Sequence, residues 1–506
     1  MTVRDLLTAL AEVDRPGLRF EDQEWSWREV VAESAARFAA LAGLLDPDRP
    51  PHVGVLLENV PEFAFTLGGA ALGGQVVVGL NSTRRGSALA GDVDRTDCQL
   101  VLTEARLRDL LPADLAIPVY DVDGPEWQAV VDRHRGAAIP ERAAGDDDLL
   151  MLIFTSGTSG DAKAVRITDV KVSFPGLMLA ERFGIGPDDV VYMAMPMFHS
   201  NAIMAGWSVA LATGATVALE RKFTASGFLP AVRRFGATYA NYVGKPLAYV
   251  LATPEKPDDA DNPLRVMFGN EANERDIAEF ARRFGCAVID SYGSTENAVI
   301  VQRQPDMPPG SLGWPVDGVK VLRPDGTETP NAEFDAAGRL INADLAIGEL
   351  VNTAGGGAFA GYYRDDAAEA ERMRGGMYWS GDLAYRDADG WIYFAGRTGD
   401  WLRADGEHLA TAPIERILLR HPAVSEAAVF AIPDRVGDKV ACAMVLRGPL
   451  TADELWSFLD DQADLSPKAW PSVVRILDAL PRTATNKVLK RELRDLPPEL
   501  GTTWTR

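Results

Sequence analysis

Between residues 50 and 300 short apolar runs recur at close intervals: HVGVLL, QVVVGL, CQLVLT, LLMLIF, VVYMAM, TVALE, RVMFG and CAVIDS, alternating with segments of helical pattern. Strands so uniformly rich in Val, Ile and Leu have no polar face to turn to water. They predict parallel sheets covered on both sides by helices. After residue 310 the texture changes to short strands punctuated by RPDG, AAGR and DADG, and DLAYRDADGWIYFAG reads as a hairpin turning at Asp389-Gly390. A third texture starts near residue 400, with a helix APIERILLRHP, strands SEAAVFAIP and KVACAMVLRG, a helix ADELWSFLDDQA and a polar tail. The 506 residues exceed what one core usually organises. The expectation is an α/β chain with a large domain over 1–398 and a small α+β domain over 399–506, joined near Gly399.

Two uncharged stretches imitate membrane spans. Phe63 to Thr83 contains Gly68, Gly69, Gly73, Gly74 and Gly79 and then Val76 to Val78, so a helix, a glycine turn and a buried strand explain it better. Val190 to Leu219 divides the same way: a strand to Met195, a break at Pro196, a helix from about Asn201 to Ala212, Gly214 and a second strand. No signal peptide is read at the N-terminus. Peripheral membrane contact and a homodimer stay open. With 51 Lys and Arg against 73 Asp and Glu the net charge is −22, which repels nucleic acid and requires any anionic ligand to be held by a local arrangement. Cys98, Cys286 and Cys442 lack metal-ligand spacing and read as buried thiols of a cytoplasmic protein.

The stretch LMLIFTSGTSGDAKAV feeds a buried strand into hydroxyls and glycines that close on Lys163. It is not a triphosphatase P-loop: counting from Gly157, the second glycine falls on Ala162, and Ala164 follows Lys163. The ingredients for an oligophosphate are still present. Gly157 and Gly160 admit close backbone approach, Thr155, Ser156, Thr158 and Ser159 offer hydroxyls, and Lys163 brings charge. A solvated Ser/Gly turn has the same composition.

Three further constellations each have a functional and a plain reading. In VIDSYGSTENAV, Glu296 suits a metal and Tyr292 a stacked base, or the segment is a capped strand end with a surface acid. Asp382 suits ribose hydroxyls and Arg397 a phosphate or ribose, or the two pair with each other. In LPRTATNKVLKREL, Lys487 precedes a basic helix, as do many solvated tail lysines.

Taken together and in this order, TSGTSGDAK, YGSTE, SGD, GR and a terminal PRT…NK resemble the adenylate-forming superfamily of acyl-CoA synthetases, peptide-synthetase adenylation domains and firefly-type luciferases. The likeness runs from LLENVPEF near residue 56 to Leu493. It implies an N-terminal domain of two α/β subdomains plus a distorted β-barrel, and a small mobile α+β C-terminal domain. It also implies roles. Thr155 and Glu296 would hold Mg2+ against ATP, with the loop from Thr155 to Lys163 (Ser156, Gly157, Thr158, Ser159, Gly160) around the β- and γ-phosphates. Asn270, Glu271 and the turn Ser291, Tyr292, Gly293, Ser294, Thr295 would border the nucleotide. Asp382 and Arg397 would bind ribose, and Lys487 would reach the carboxylate and α-phosphate during adenylation. Gly406 and Glu407 would face the CoA channel, and Gly399 would be the hinge.

The chain departs from the family pattern at Ala162 and Ala164, where Pro and Gly are usual, at Asn486, and at Gly399, where Asp or Lys is frequent. These put rate in question more than reaction type. In MPMFHSNAI, bordering the acyl pocket, Phe198 and His199 supply no acid to pair an α-amino group, and SYGSTEN lacks the tryptophan that roofs acetate-type pockets. The expected substrate is a longer apolar carboxylic acid, fatty chain or steroid side chain. The branch resembled is that of fatty-acid-transport, very-long-chain and steroid side-chain acyl-CoA ligases. The alternatives are a ligase that loads acyl-adenylate onto a carrier protein and a decayed AMP-binding scaffold.

Overall fold

The computed structural model describes the chain except for residues 156–161, 273, 305, 337, 339, 398–400, 405–406, 434–437, 463–464, 466, 483–487, 497–500 and 506. Its contacts divide it into two units, 1–297 with 358–369, and 298–357 with 370–506. The joint expected at Gly399 lies outside the described residues.

Two sheets build the first unit. One runs in the order Ala287–Asp290, Val266–Asn270, Tyr239–Val243, Val190–Met193, Thr216–Leu219, Pro16–Phe20, Gln23–Ser26. The other runs Val119–Asp121, Leu100–Thr103, His52–Leu56, Val76–Gly79, Leu149–Thr155, Lys163–Thr168. Neighbours are parallel in both, apart from the final pair of each, where a hairpin adds an antiparallel edge strand. Central strands such as His52–Leu56 and Val76–Gly79 are buried at every position, as uninterrupted apolar sequence requires. The tempting span is indeed a helix, Pro61–Gly73, ended by Gly74 at φ 88° and followed by the strand Val76–Gly79. No helix among the described residues is long and apolar enough to cross a membrane.

The helix expected over 201–212 is not regular. Ser200–Ala202 and Ser208–Thr213 are α-helical, but Ile203–Trp207 between them is a π-turn. Packing accounts for the extra residue. A Cβ on Gly206 would stand 3.1 Å from the Asn241 side-chain oxygen, and the Tyr239 hydroxyl donates to the Ala205 carbonyl at 2.8 Å.

The helix Asp169–Phe183 follows the second sheet's edge strand, and its first residue is tied to the N-terminus: an Asp169 carboxylate oxygen accepts from the Val3 amide at 2.8 Å. Burial raises this carboxyl from its ordinary 3.8 to about 6. The protonated form is therefore favoured on folding, and its contribution is present in full below about pH 4 and lost as pH rises through about 6. Such a shift corresponds to roughly 3 kcal/mol at full burial, reduced to about 1–2 kcal/mol by residual solvation. Asp169→Asn, which keeps an acceptor for Val3, is expected to exceed the parent in thermal unfolding at pH 7.5, and the difference is expected to close at pH 4.5.

In the second unit an antiparallel sheet orders Val301–Gln302, Ser311–Pro315, Ile392–Arg397, Met377–Arg386, Gly348–Asn352 and Val319–Leu322, with Met373–Arg374 added on Met377–Arg386. Among the described residues this path is open and not a barrel: no ladder joins Val301–Gln302 to Val319–Leu322. A two-residue end strand paired on one side has too little length for the stagger that closure needs. The expected hairpin forms, with Gly390 at φ 100° and an Asp387 carboxylate oxygen accepting from Asp389 and Trp391 amides at 3.1 and 2.9 Å. Beyond it, a second sheet runs Val424–Pro433, Asp438–Leu446, Val473–Ile476 and Thr502–Thr505, packed on the helices Thr411–Leu418 and Ala452–Asp460. The C-terminal tail expected as polar chain thus ends as an edge strand. Its run of threonines around Trp504 is β-forming sequence.

Candidate active site

The strand Leu149–Thr155 and the returning strand Lys163–Thr168 set the site's base. Thr155 stands opposite Lys163 in their register, so the hydroxyl and the ammonium flank one loop. Ser156, Gly157, Thr158, Ser159 and Gly160 lie outside the described residues. The Lys163 side chain is buried, with its ammonium 5.5 Å from the centre of the Tyr362 ring. The Tyr362 hydroxyl in turn donates to a Glu296 carboxylate oxygen at 3.0 Å. One tyrosine thus brings together two residues that are 133 positions apart in the sequence, Lys163 and Glu296. Tyr362 is held by its main chain, which bridges to Val165, and by the bond from the Tyr363 amide to the Ala164 carbonyl at 2.8 Å.

The turn carrying Glu296 follows the strand Ala287–Asp290. Asn270, last residue of the neighbouring strand, donates to the Ser291 carbonyl at 2.6 Å and to its hydroxyl at 3.0 Å. Glu271 beside it has φ 68°, a left-handed conformation uncommon for a side chain of its size. Tyr292 is partly buried, Gly293 and Ser294 are exposed, and Asn297 closes the turn at φ 53°. The Thr295 hydroxyl lies 3.1 Å from that of Ser200, which joins this turn to the MPMFHSNAI segment. In that segment Phe198 is buried, and its ring lies 4.4 Å from that of the half-buried His199. Asn59 fixes the segment's course: its amide donates to the Met195 carbonyl at 3.0 Å and its oxygen accepts from Met197 at 2.9 Å.

Three residues here escaped the sequence reading in these roles: Asn59, Tyr362 and Lys171. Lys171 is 2% exposed, and its ammonium donates to the carbonyls of Thr295, Glu296 and Arg166 at 3.2, 3.1 and 3.4 Å. Burial pushes it down to about 8, against the opposing pull of the nearby Glu296 carboxylate. The departures at Ala162 and Ala164 have a packing account. Both methyls belong to an apolar cluster with Phe154 and Tyr363, at a surface depression of about 480 Å3 that Arg95, Arg364 and Asp365 also line.

Asp382 and Arg397 belong to the second unit. They face each other across the strands Met377–Arg386 and Ile392–Arg397, with Arg397 Nε 3.3 Å from an Asp382 oxygen. The plain ion pair read from the sequence therefore forms. Glu407 opens the strand Glu407–Ala410, opposite Ala404. Gly399, Gly406, Asn486 and Lys487 lie outside the described residues.

As a magnesium site, Thr155 and Glu296 form no ready-made cage. No group of three or more His, Cys, Asp or Glu among the described residues is placed to hold a metal. That suits Mg2+, which takes few protein oxygens and completes its shell with water and substrate phosphates.

Buried parallel strands, an edge strand opening at Lys163 and an acidic turn tied to it through Tyr362 are the described parts of the candidate site. Residues 8–363 match the family described as AMP-binding enzyme, and 413–487 the AMP-binding enzyme C-terminal domain. The chain belongs to the AMP-binding enzyme family. It is similar to the medium/long-chain-fatty-acid CoA ligase FadD17 of Mycobacterium tuberculosis, at 54% identity over 97% of this chain and 96% of the relative. It is 49% identical to the steroid-22-oyl-CoA synthetase of Rhodococcus jostii, covering 95% of this chain and 88% of that one. Among solved structures, the O-succinylbenzoate coenzyme A synthetase MenE from Bacillus subtilis, in complex with ATP and magnesium ion, matches with TM-score 0.77 and 26% identity, covering 97% of this chain and 99% of that one.

Proposed function

We propose that the chain is an AMP-forming acyl-CoA ligase acting on a long apolar carboxylic acid, a fatty acid or a steroid side-chain acid. Near-full-length identity to ligases of both substrate kinds carries this reading. The burial of Met197, Phe198, Ala202 and Ile203 around His199 agrees with it, since the segment offers no acid to a substrate amine.

A carboxylate is a poor electrophile, so its oxygen attacks the α-phosphorus of ATP, pyrophosphate departs, and the acyl group is left as a mixed anhydride with AMP. A thiol of CoA then attacks the acyl carbon and AMP leaves. The first step brings two anions together. The hydroxyls of 155–159 and the Lys163 ammonium hold the terminal phosphates, while Lys487 faces the reacting oxygens. Thr155 and Glu296 would hold magnesium, which would add neutralisation of phosphate charge when bound. Asn270, Glu271 and the turn 291–295 border the nucleotide, and Asp382 with Arg397 takes the ribose. Lys487 and the loop of Gly406 and Glu407 sit on the C-terminal domain 399–506, which turns about Gly399 to exchange one step for the other. A need for ATP and CoA, together with three buried free thiols, supports a cytoplasmic setting.

Pyrophosphate release tests this directly, with octanoic through octadecanoic acid and a steroid carrying a side-chain carboxylate. Release with apolar acids, and thioester only when CoA is added, is the expected outcome. Release without thioester would point to a carrier-protein acceptor. Silence with every acid would leave only a nucleotide-binding scaffold.

A further inference from the structure

The least economical residue of the first unit is Lys171. It lies in the third position of the helix Asp169–Phe183, with 2% of its surface exposed and no ion pair among the described residues. Burying a cation with no carboxylate in direct ion-pair contact is costly even with the Glu296 carboxylate nearby, and a methionine of the same length would fill the space without that cost. All three of its protons are nevertheless spoken for. Two go to the main chain of the acidic turn, at Thr295 and Glu296, and one goes to Arg166 on the strand that begins at Lys163.

Among the described residues, few main-chain bonds besides these hold residues 294–297 of that turn. The Asn297 amide bonds back to Ser294 at 3.1 Å, and Asn297 itself stands at φ 53°, outside the conformations a side-chain-bearing residue prefers. Its side chains are held separately, Thr295 by Ser200 and Glu296 by Tyr362. Tyr362 orients the end of the Glu296 carboxylate, so the position of the Cα beneath it depends on what fixes the carbonyls of 295 and 296.

We propose that Lys171 is a positioning residue for the adenylation half-reaction: its buried ammonium clamps the Glu296-bearing turn against the strand carrying Lys163, and so fixes where the Glu296 carboxylate meets the nucleotide. This rests on the ligase reading above. It assigns to Lys171 no contact with substrate. Displacement of a charge-bearing group by an ångström typically costs one to two orders of magnitude in rate, so a loosened turn should be visible in the first half-reaction alone.

The test compares the parent with Lys171→Met, which keeps length and loses all three donors, and Lys171→Gln, which keeps two donors without charge. Adenylation is read as pyrophosphate release with dodecanoic acid, and thioester formation as transfer from supplied dodecanoyl-adenylate to CoA. For Lys171→Met the KM for ATP at saturating magnesium is expected to rise about tenfold, with the half-saturating magnesium concentration rising in parallel, while thioester formation stays within about twofold. Lys171→Gln should fall between Met and parent. Unchanged adenylation in Lys171→Met would overturn the proposal. So would an equal loss in both half-reactions, or failure of both variants to fold, since either would make Lys171 a residue of the fold. A parent enzyme that releases no pyrophosphate would sink the ligase reading itself, an outcome distinct from these.

Discussion

Lys487→Ala is expected to lower acyl-adenylate formation by about two to three orders of magnitude and to leave thioester formation from supplied acyl-adenylate within a few-fold of the parent. The asymmetry follows from where charge develops. When a carboxylate approaches an α-phosphate, both partners are anionic, and the transition state gathers charge on oxygens that only a nearby cation or preorganised donors can stabilise. In the second step a neutral carbonyl carbon is attacked in place of an anionic phosphate, its C–O bond to the phosphate breaks, and AMP leaves with the bonding pair on its phosphate oxygen. On the proposed reading Lys487 serves the first pair of anions and is moved away with the C-terminal domain before the thiol attacks. Measuring the two half-reactions separately, with the same acyl group, decides the matter. Equal losses in both would remove Lys487 from the role the family resemblance implies.

Glu296→Gln should be the other severe variant, with adenylation down about a hundredfold and restored in part by raised magnesium. Glutamine preserves the acceptor for the Tyr362 hydroxyl, so the 3.0 Å bond has a neutral counterpart and the turn keeps its shape. What disappears is the negative charge offered to a cation. A Tyr362→Phe variant provides the contrast: it removes the bond and leaves the charge, and its effect should be several-fold at most. If Glu296→Gln loses activity that no magnesium concentration recovers, while Tyr362→Phe loses as much, the carboxylate is a structural partner of the tyrosine and not a ligand.

Much of this architecture could be read before any coordinates. Runs such as VVVG and VVYM are legible because a strand buried on both faces has no alternation to obscure its length, and each sheet of the first unit contains such a run. What the pattern concealed were the edge strands. Gln23–Ser26 and Lys163–Thr168 carry charge, and only the hairpin geometry adds them to otherwise parallel sheets. The π-turn at Ile203–Trp207 was hidden for a related reason: apolar periodicity assumes a fixed number of residues per turn, and the extra residue is imposed by Gly206 packing on Asn241, a contact made across the sheet.

Unusual composition marked the hydroxyl-glycine loop, whose residues 156–161 lie outside the described ones, and the acidic turn, whose Glu296 is joined to Lys163 through Tyr362. The candidate site was illegible where a residue of ordinary type serves an unusual place. Lys171 reads as one more helix charge: Val172, Gly176, Leu179 and Ala180 form the inward apolar stripe, and position 171 lies to one side of it. Its burial had no signal in the spacing. Tyr362 offered none, because its partner Val165 lies on a strand nearly two hundred residues earlier and their bridge exists only in three dimensions.

The pairing of Thr155 with Lys163 has a last consequence. Thr155 and Lys163, the residues that bound the segment proposed to hold phosphate, occupy a single rung of an antiparallel ladder. Sequence inside such a cassette can be lengthened, shortened or grafted from a relative without altering the phase of any helix, unlike a loop that launches a helix and must deliver it in register. If the proposed phosphate role holds, this is where related enzymes can diverge in their grip on the leaving pyrophosphate, with Ala162 and Ala164 at its base as tuning of a replaceable part while the surrounding scaffold stays unchanged.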